Sequence, residues 1–106
     1  MLLEVPFTDL GGSKVRPALV LSSDDVNRGR DCIIVPISSR AEKPRAWDVV
    51  VRPTDPDFRK TGLVCASVFQ CDKVMALSQS LAKRWLGRAH SYLGAVEGMV
   101  RAAMGL

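Results

Sequence analysis

Arg16, Ser38, Trp47 and Asp72 stand at the ends of four apolar runs, with Lys14, Arg40, Lys43, Arg45 and Lys73 nearby. This set can handle an anion. A guanidinium is a planar, permanently charged fork of donors that matches two oxyanion oxygens. A serine hydroxyl adds a donor, and a carboxylate acts as a base only where burial lifts it from its usual pKa of ~3.9. Each residue also has an ordinary alternative. Arg16 can form a rim salt bridge with Asp9 or Asp72, Ser38 can cap a turn, and Asp72 can be a turn aspartate. Metal chemistry is not indicated: His90 is the only histidine, and Cys32, Cys65 and Cys71 contain no C-x-x-C pair. The three cysteines, an odd number, sit in apolar runs as small hydrophobes and fit a reducing compartment. The expectation is no metal and no cofactor, with His90 an end-of-helix polar residue.

The elements that position these side chains read as strands followed by one helix. Leu2–Val5 is a short strand, and Phe7–Lys14, with its paired glycines, a loop. Arg16–Ser22 and Cys32–Ile37 are strands; Pro36 removes a ladder donor and points to an edge or bulge. Trp47–Arg52 alternates Trp47, Val49 and Val51 on one face, which predicts core packing for Trp47. Gly62–Cys71 reads as a long strand and Val74–Leu77 as a shorter one. Ser80–Ala82 reads as a helical turn, and Trp85 and Leu86 as a buried segment. From Ser91, a candidate N-cap, Leu93, Val96, Val100 and Ala103 recur at helical spacing.

If strands two to five form an antiparallel meander, the start of one lies beside the end of the next. Arg16, Ser38, Trp47 and Asp72 then share one edge. Arg16 and Ser38 are equidistant from Asn27, so a symmetric hairpin sets them opposite each other. That edge carries Lys14, Arg16, Arg40, Lys43, Arg45 and Lys73 against Asp9, Glu42 and Asp72. The other carries Arg28, Arg30, Arg59 and Lys60 against Asp24, Asp25, Asp31, Asp55 and Asp57. A rim biased this way suits a polyanion; the plain alternative is charged, solvated loops.

At 106 residues and a net charge of +4, the chain reads as one domain, 1–106, with a hydrophobic core. No apolar run reaches the ~20 residues that span a membrane. Glu4, Pro6 and Asp9 interrupt any secretory leader, so a cytoplasmic location is expected. Short strands with turn signals and one helix predict a mostly β fold with a C-terminal helix, curled into a small barrel.

Pro6-Phe7-Thr8-Asp9-Leu10-Gly11-Gly12-Ser13-Lys14, followed by Arg16-Pro17-Ala18-Leu19-Val20-Leu21-Ser22, resembles the opening of the MazF/PemK toxins. Val35-Pro36-Ile37-Ser38-Ser39, Gly62-Leu63 with Ser67, Asp72 and Gly105-Leu106 extend the resemblance along nearly the whole chain. Three departures accompany it. The chain starts inside the family's first strand without its leading carboxylate, Ser38 replaces a frequent threonine, and Gln70 stands where some members carry arginine.

The resemblance implies a small SH3-like (CcdB/MazF-like) barrel that forms a homodimer. It also implies a metal-free, ribosome-independent endoribonuclease acting on single-stranded RNA, and a MazE-like antitoxin as partner. The substrate's 2′-OH would attack, leaving a 2′,3′-cyclic phosphate and a 5′-OH. Arg16 would stabilise the phosphorane; its pKa above ~12 disfavours a general-acid role. Ser38 would donate to a non-bridging oxygen, and Asp72 is the candidate base. Lys14, Ser39, Arg40, Lys43, Arg45 and Gln70 would bind RNA, with Trp47, Phe58 and Trp85 able to stack on bases. Two other readings stand beside it. One is a non-catalytic RNA- or antitoxin-binding barrel, a decayed toxin. The other is a gyrase poison of the same fold, which the aromatic-free tail Ala103–Leu106 argues against.

Overall fold

The computed structural model describes residues 1–9 and 12–106, and for 8, 9, 12 and 13 the backbone alone. β1 (Leu2–Asp9) and β2 (Gly12–Val20) form an antiparallel hairpin. α1 (Asp24–Asn27) is a single turn before β3 (Asp31–Ser38). β4 (Asp48–Val51) and α2 (Phe58–Thr61) precede β5 (Ser67–Gln70) and β6 (Met75–Ser78). A 3₁₀ turn (Gln79–Leu81) leads to β7 (Arg84–Gly87), and α3 (Leu93–Met104) ends the chain. The strands pair antiparallel in the order β4-β5-β3-β2-β1-β7, with β6 also on β3. This is the expected mostly β fold with a C-terminal helix. The sheet curls without closing, because among the described residues β4 and β7 each pair on one side only.

The meander expectation fails in its second half. β5, not β4, lies beside β3, and β4 is the outer strand. The end of β3 therefore abuts the start of β5, where Ser38 pairs with Val68. Asp72 follows the far end of β5, so it does not share the edge with Arg16 and Ser38. Pro36 is in a central strand rather than at an edge. Its missing donor costs little because β3 changes partners there: residues 31–34 pair with β6, and 37–38 with β5.

Other boundaries also move. Phe7 and Lys14 are paired strand residues, so the predicted loop contracts; its centre, Leu10-Gly11, lies outside the described residues. Gly62 does not begin a strand. It ends α2 with φ 75°, the left-handed conformation glycine tolerates best. A Cβ there would also lie 2.2 Å from the Leu86 carbonyl oxygen, so glycine lets α2 rest on β7. Ser91 does not cap α3. Its hydroxyl donates to Asp57 at 2.6 Å, while Tyr92 donates to Asp55 at 2.7 Å, tying the helix start to the loop before α2.

Two apolar clusters use opposite faces of the sheet. Leu2, Leu19, Val35, Ile37, Phe69 and Cys71 pack with Val96 and Val100 of α3. Val5, Ala18, Cys32 and Ile34 form the second, with Leu3, Phe7, Val20 and Leu77 against them. β3 serves both clusters, which explains its nearly unbroken apolar run. Burial raises the thiol of Cys32 and pushes Cys71 up to about 11, so both behave as core hydrophobes. No described helix is long and apolar enough to cross a membrane.

Candidate functional site

The site grows out of the hairpin between β2 and β3. Ala18 pairs with Pro36, Leu19 with Val35 and Val20 with Ile34. These pairs are equidistant from Asn27, so continuing the register two residues sets Arg16 opposite Ser38, as symmetry predicts. Side chains directly opposite in antiparallel strands share a face. The next pairings extend it: Ser38 with Val68, Val68 with Val50, and Gln70 with Asp48. Arg16, Ser38, Val68 and Val50 therefore form one row across β2, β3, β5 and β4. Ala18, Pro36, Gln70 and Asp48 form the next. The site is a sheet face rather than an edge.

Three adjoining cavities open on this face. The central one, about 330 Å³, is lined by Phe7, Arg16, Pro36, Ile37, Ser38, Arg40, Gln70, Lys73 and Met75. It shares Arg16 and Ile37 with a second, about 320 Å³, that adds Lys14, Ser39 and Cys65. It shares Ser38, Arg40, Gln70 and Lys73 with a third, about 360 Å³, that adds Glu42, Lys43, Arg45 and Asp48. All six cations expected on one rim thus line one continuous groove. Among the described residues the central cavity contains no carboxylate and no imidazole, so its field is cationic.

The individual side chains differ in what holds them. Arg16 is half-buried and has no ion pair among the described residues. The Ser38 hydroxyl is buried and accepts from the backbone N–H of Arg40 at 3.2 Å. That is the turn-capping role, and it leaves the hydroxyl's own hydrogen for another acceptor. Asp72 is not a groove wall; its carboxylate takes the Arg45 guanidinium at 2.5 Å. This hydrogen bond is the main reason the Arg45 pKa rises above its ordinary value.

Sequence reasoning missed Asp48. Its side chain is 3 % exposed. Oδ2 accepts from the Arg45 backbone N–H at 2.8 Å, and buried Oδ1 has no hydrogen-bond partner. The nearest cation, Arg45 Nη2, is 3.6 Å from Oδ1 and drawn toward Asp72. Leaving a buried acceptor unsatisfied costs about 1–3 kcal/mol, so such an atom calls for a partner: a water, an ion or a ligand group. The signal was the period-two alternation itself, which sets Asp48 and Val50 opposite Trp47, Val49 and Val51.

Trp47 is not core: it is 39 % exposed, because β4 is the outer strand. Trp85 is likewise not a buried segment but 54 % exposed on β7, beside Arg88 and His90 and away from the groove. Phe58 packs against the main core. No group of three or more His, Cys, Asp or Glu suited to a metal occurs among the described residues.

Solved structures that share this fold include MazF proteins. The Mycobacterium tuberculosis toxin MazF-mt6 is 23 % identical over 97 % of both chains, with a TM-score of 0.72. The Deinococcus radiodurans MazE-MazF complex (Form-III) is 26 % identical over 99 % of this chain and 92 % of the other, at 0.74. A mycobacterial endoribonuclease in complex with its cognate antitoxin is 22 % identical over 97 % and 92 %, at 0.71. No curated protein sequence matches. The family model for the PemK-like, MazF-like toxins of type II toxin–antitoxin systems matches residues 2–97, and the chain belongs to that family.

Proposed function

We propose that this toxin is a metal-free endoribonuclease that binds single-stranded RNA along the four-strand face and cuts it beside Arg16. The observation that carries this reading is that Arg16 and Ser38 line one cavity at the centre of a groove lined by Lys14, Arg40, Lys43, Arg45 and Lys73. A scissile phosphate seated there would meet a guanidinium without an ion pair among the described side chains and a hydroxyl with one hydrogen to give. As the substrate's 2′-oxygen attacks, charge builds on the non-bridging oxygens. Preorganised donors aimed at that charge are worth far more in a sheltered site than in water.

The same geometry divides the other proposed roles. Asp72 is engaged by Arg45, so we assign it to orienting Arg45 rather than to taking the 2′-OH proton. Arg40, Lys43 and Lys73 neutralise flanking phosphates, while Gln70 and Ser39 offer neutral hydrogen bonds along the path. Val64, 95 % exposed, and Met75, 38 % exposed, flank the groove and give bases an apolar surface.

The same face would receive a MazE-like antitoxin, as the antitoxin-bound relatives suggest, and the protein would work as a cytoplasmic homodimer. Exposed Val15, Val26, Trp85 and Leu106 supply apolar surface that one copy leaves uncovered. Light scattering at micromolar concentration should return twice the chain mass; a clean monomer overturns the dimer. Incubation with a long naked RNA in EDTA tests the enzyme reading: discrete cuts are expected, and intact RNA that is nonetheless bound favours the non-catalytic barrel.

A further inference from the structure

The buried Oδ1 of Asp48, with no hydrogen-bond partner and its ion-pair contact, Arg45 Nη2, 3.6 Å away, lies in the groove's wall on the same sheet face as Arg16 and Ser38. A further cation does not suit it, because Arg45 already stands 3.6 Å from this oxygen and Arg40, Lys43 and Lys73 surround the same cavity. A phosphate does not suit it either, since two anions would face each other. What fits is a neutral N–H donor brought in by a polyanion that the surrounding cations hold. In RNA, such donors are the exocyclic amino groups of cytosine, adenine and guanine and the ring N–H groups of guanine and uracil. Of these, the cytosine N4 amino group is the one that carboxylates accept from in known readout chemistry, and the adenine N6 amino group has the same form.

We propose that Asp48 reads a nucleobase: its Oδ1 accepts a hydrogen bond from the exocyclic amino group of a cytosine or adenine. Asp48 is then a specificity-determining residue for the reaction proposed above, on which this inference rests. The Arg45 backbone N–H fixes Oδ2, so the carboxylate is already oriented when the base arrives. Oδ1 is out of reach of solvent, so the base's approach requires the Arg45 side chain, 3.6 Å away and 46 % exposed, to turn toward a phosphate. β2 and β4 are three strand spacings apart, about 14 Å, so the base read is near the scissile phosphate but not attached to it. Uracil and hypoxanthine present a carbonyl oxygen where cytosine and adenine present the amino group. A carboxylate repels that oxygen.

The test is cleavage of short oligoribonucleotides in EDTA, after the wild-type cut site has been mapped. Each cytidine near the cut is replaced by uridine, and each adenosine by inosine. One position is expected at which the replacement slows wild-type cutting by about tenfold or more, in line with one lost base contact. Asp48→Asn keeps the acceptor for the Arg45 N–H and places an amide NH₂ where Oδ1 was. It should therefore reverse the preference at that position alone, toward uridine or inosine. Wild-type rates indifferent to every replacement overturn the proposal, whatever the variant does. So does a preference that Asp48→Asn leaves unchanged, or sensitivity to a 2′-deoxy sugar without sensitivity to the base. If the wild type cuts no RNA at all, the parent reading falls, and this one with it.

Discussion

Arg16 and Arg45 are two guanidiniums in one groove, and the protein treats them in opposite ways. Arg16 projects from a paired strand with no carboxylate attached among the described side chains. Arg45 sits in the loop before β4, bonded to Asp72 and close to Asp48. Counting charges along the chain makes the two equal. The structure separates a cation with no ion pair among the described side chains from one already committed to its neighbours.

The comparison breaks most readily at Arg16. Arg16→Ala should lower the cleavage rate by about a hundredfold or more, the usual scale for one preorganised transition-state donor. Its melting temperature should stay near wild type, because Arg16 lies outside both apolar clusters. Arg16→Lys should recover only part of the rate, since a point charge lacks the bidentate fork. A variant with unchanged cleavage would show that the guanidinium is idle.

Asp72→Asn sharpens the other half. If Asp72 only holds Arg45, single-turnover cleavage should fall less than about tenfold, well short of the Arg16→Ala loss. A loss as large as that of Arg16→Ala would identify Asp72 as the base and reverse its assignment. Binding offers a finer comparison. Each phosphate neutralised on a single strand contributes about −0.7 to the slope of log affinity against log salt. Lys43→Ala should flatten the slope by about that amount if Lys43 holds one phosphate. Arg45→Ala should flatten it less, because Asp72 already neutralises part of that charge. Equal changes would mean that RNA strips Arg45 from Asp72 completely.

These contrasts also explain what the sequence could and could not reveal. The β2–β3 hairpin was legible as a symmetric pairing about Asn27, but so long a loop does not set the register; burial of Ala18 and Ile34 on one face does. The insertion of β5 between β3 and β4 was not legible. Nothing local records which of two four-residue strands, Asp48–Val51 or Ser67–Gln70, wins the inner position. That single non-local choice exposes Trp47, moves Asp72 off the Arg16 edge and sets Asp48 on the groove face. The cation set survived the error because the strands are short, so residues at either end of β5 still reach one groove.

The smallest expected effect lies away from the groove and serves as its control. Hydrogen bonds from the Arg52 backbone and the Tyr92 side chain hold the Asp55 carboxyl below its ordinary range. Ser91 and Lys60 do the same for Asp57. Both contributions are fully present above the unfolded carboxyl pKa of ~3.9 and fade as pH falls through the lowered values. The melting temperature should therefore drop below about pH 4, and Asp55→Asn with Asp57→Asn should blunt that drop. An unchanged acid profile in the double variant would show that the ties between the α3 start and the preceding loop contribute nothing to stability.

The most direct test of the central claim is analysis of RNA product ends after digestion in EDTA, with wild type and Arg16→Ala side by side. A cationic, preorganised face acting on the substrate's own 2′-OH predicts 2′,3′-cyclic phosphate and 5′-OH ends from the wild type, with almost no product from the variant. Cleavage abolished by EDTA, 5′-phosphate ends, or equal cutting by both proteins would contradict it.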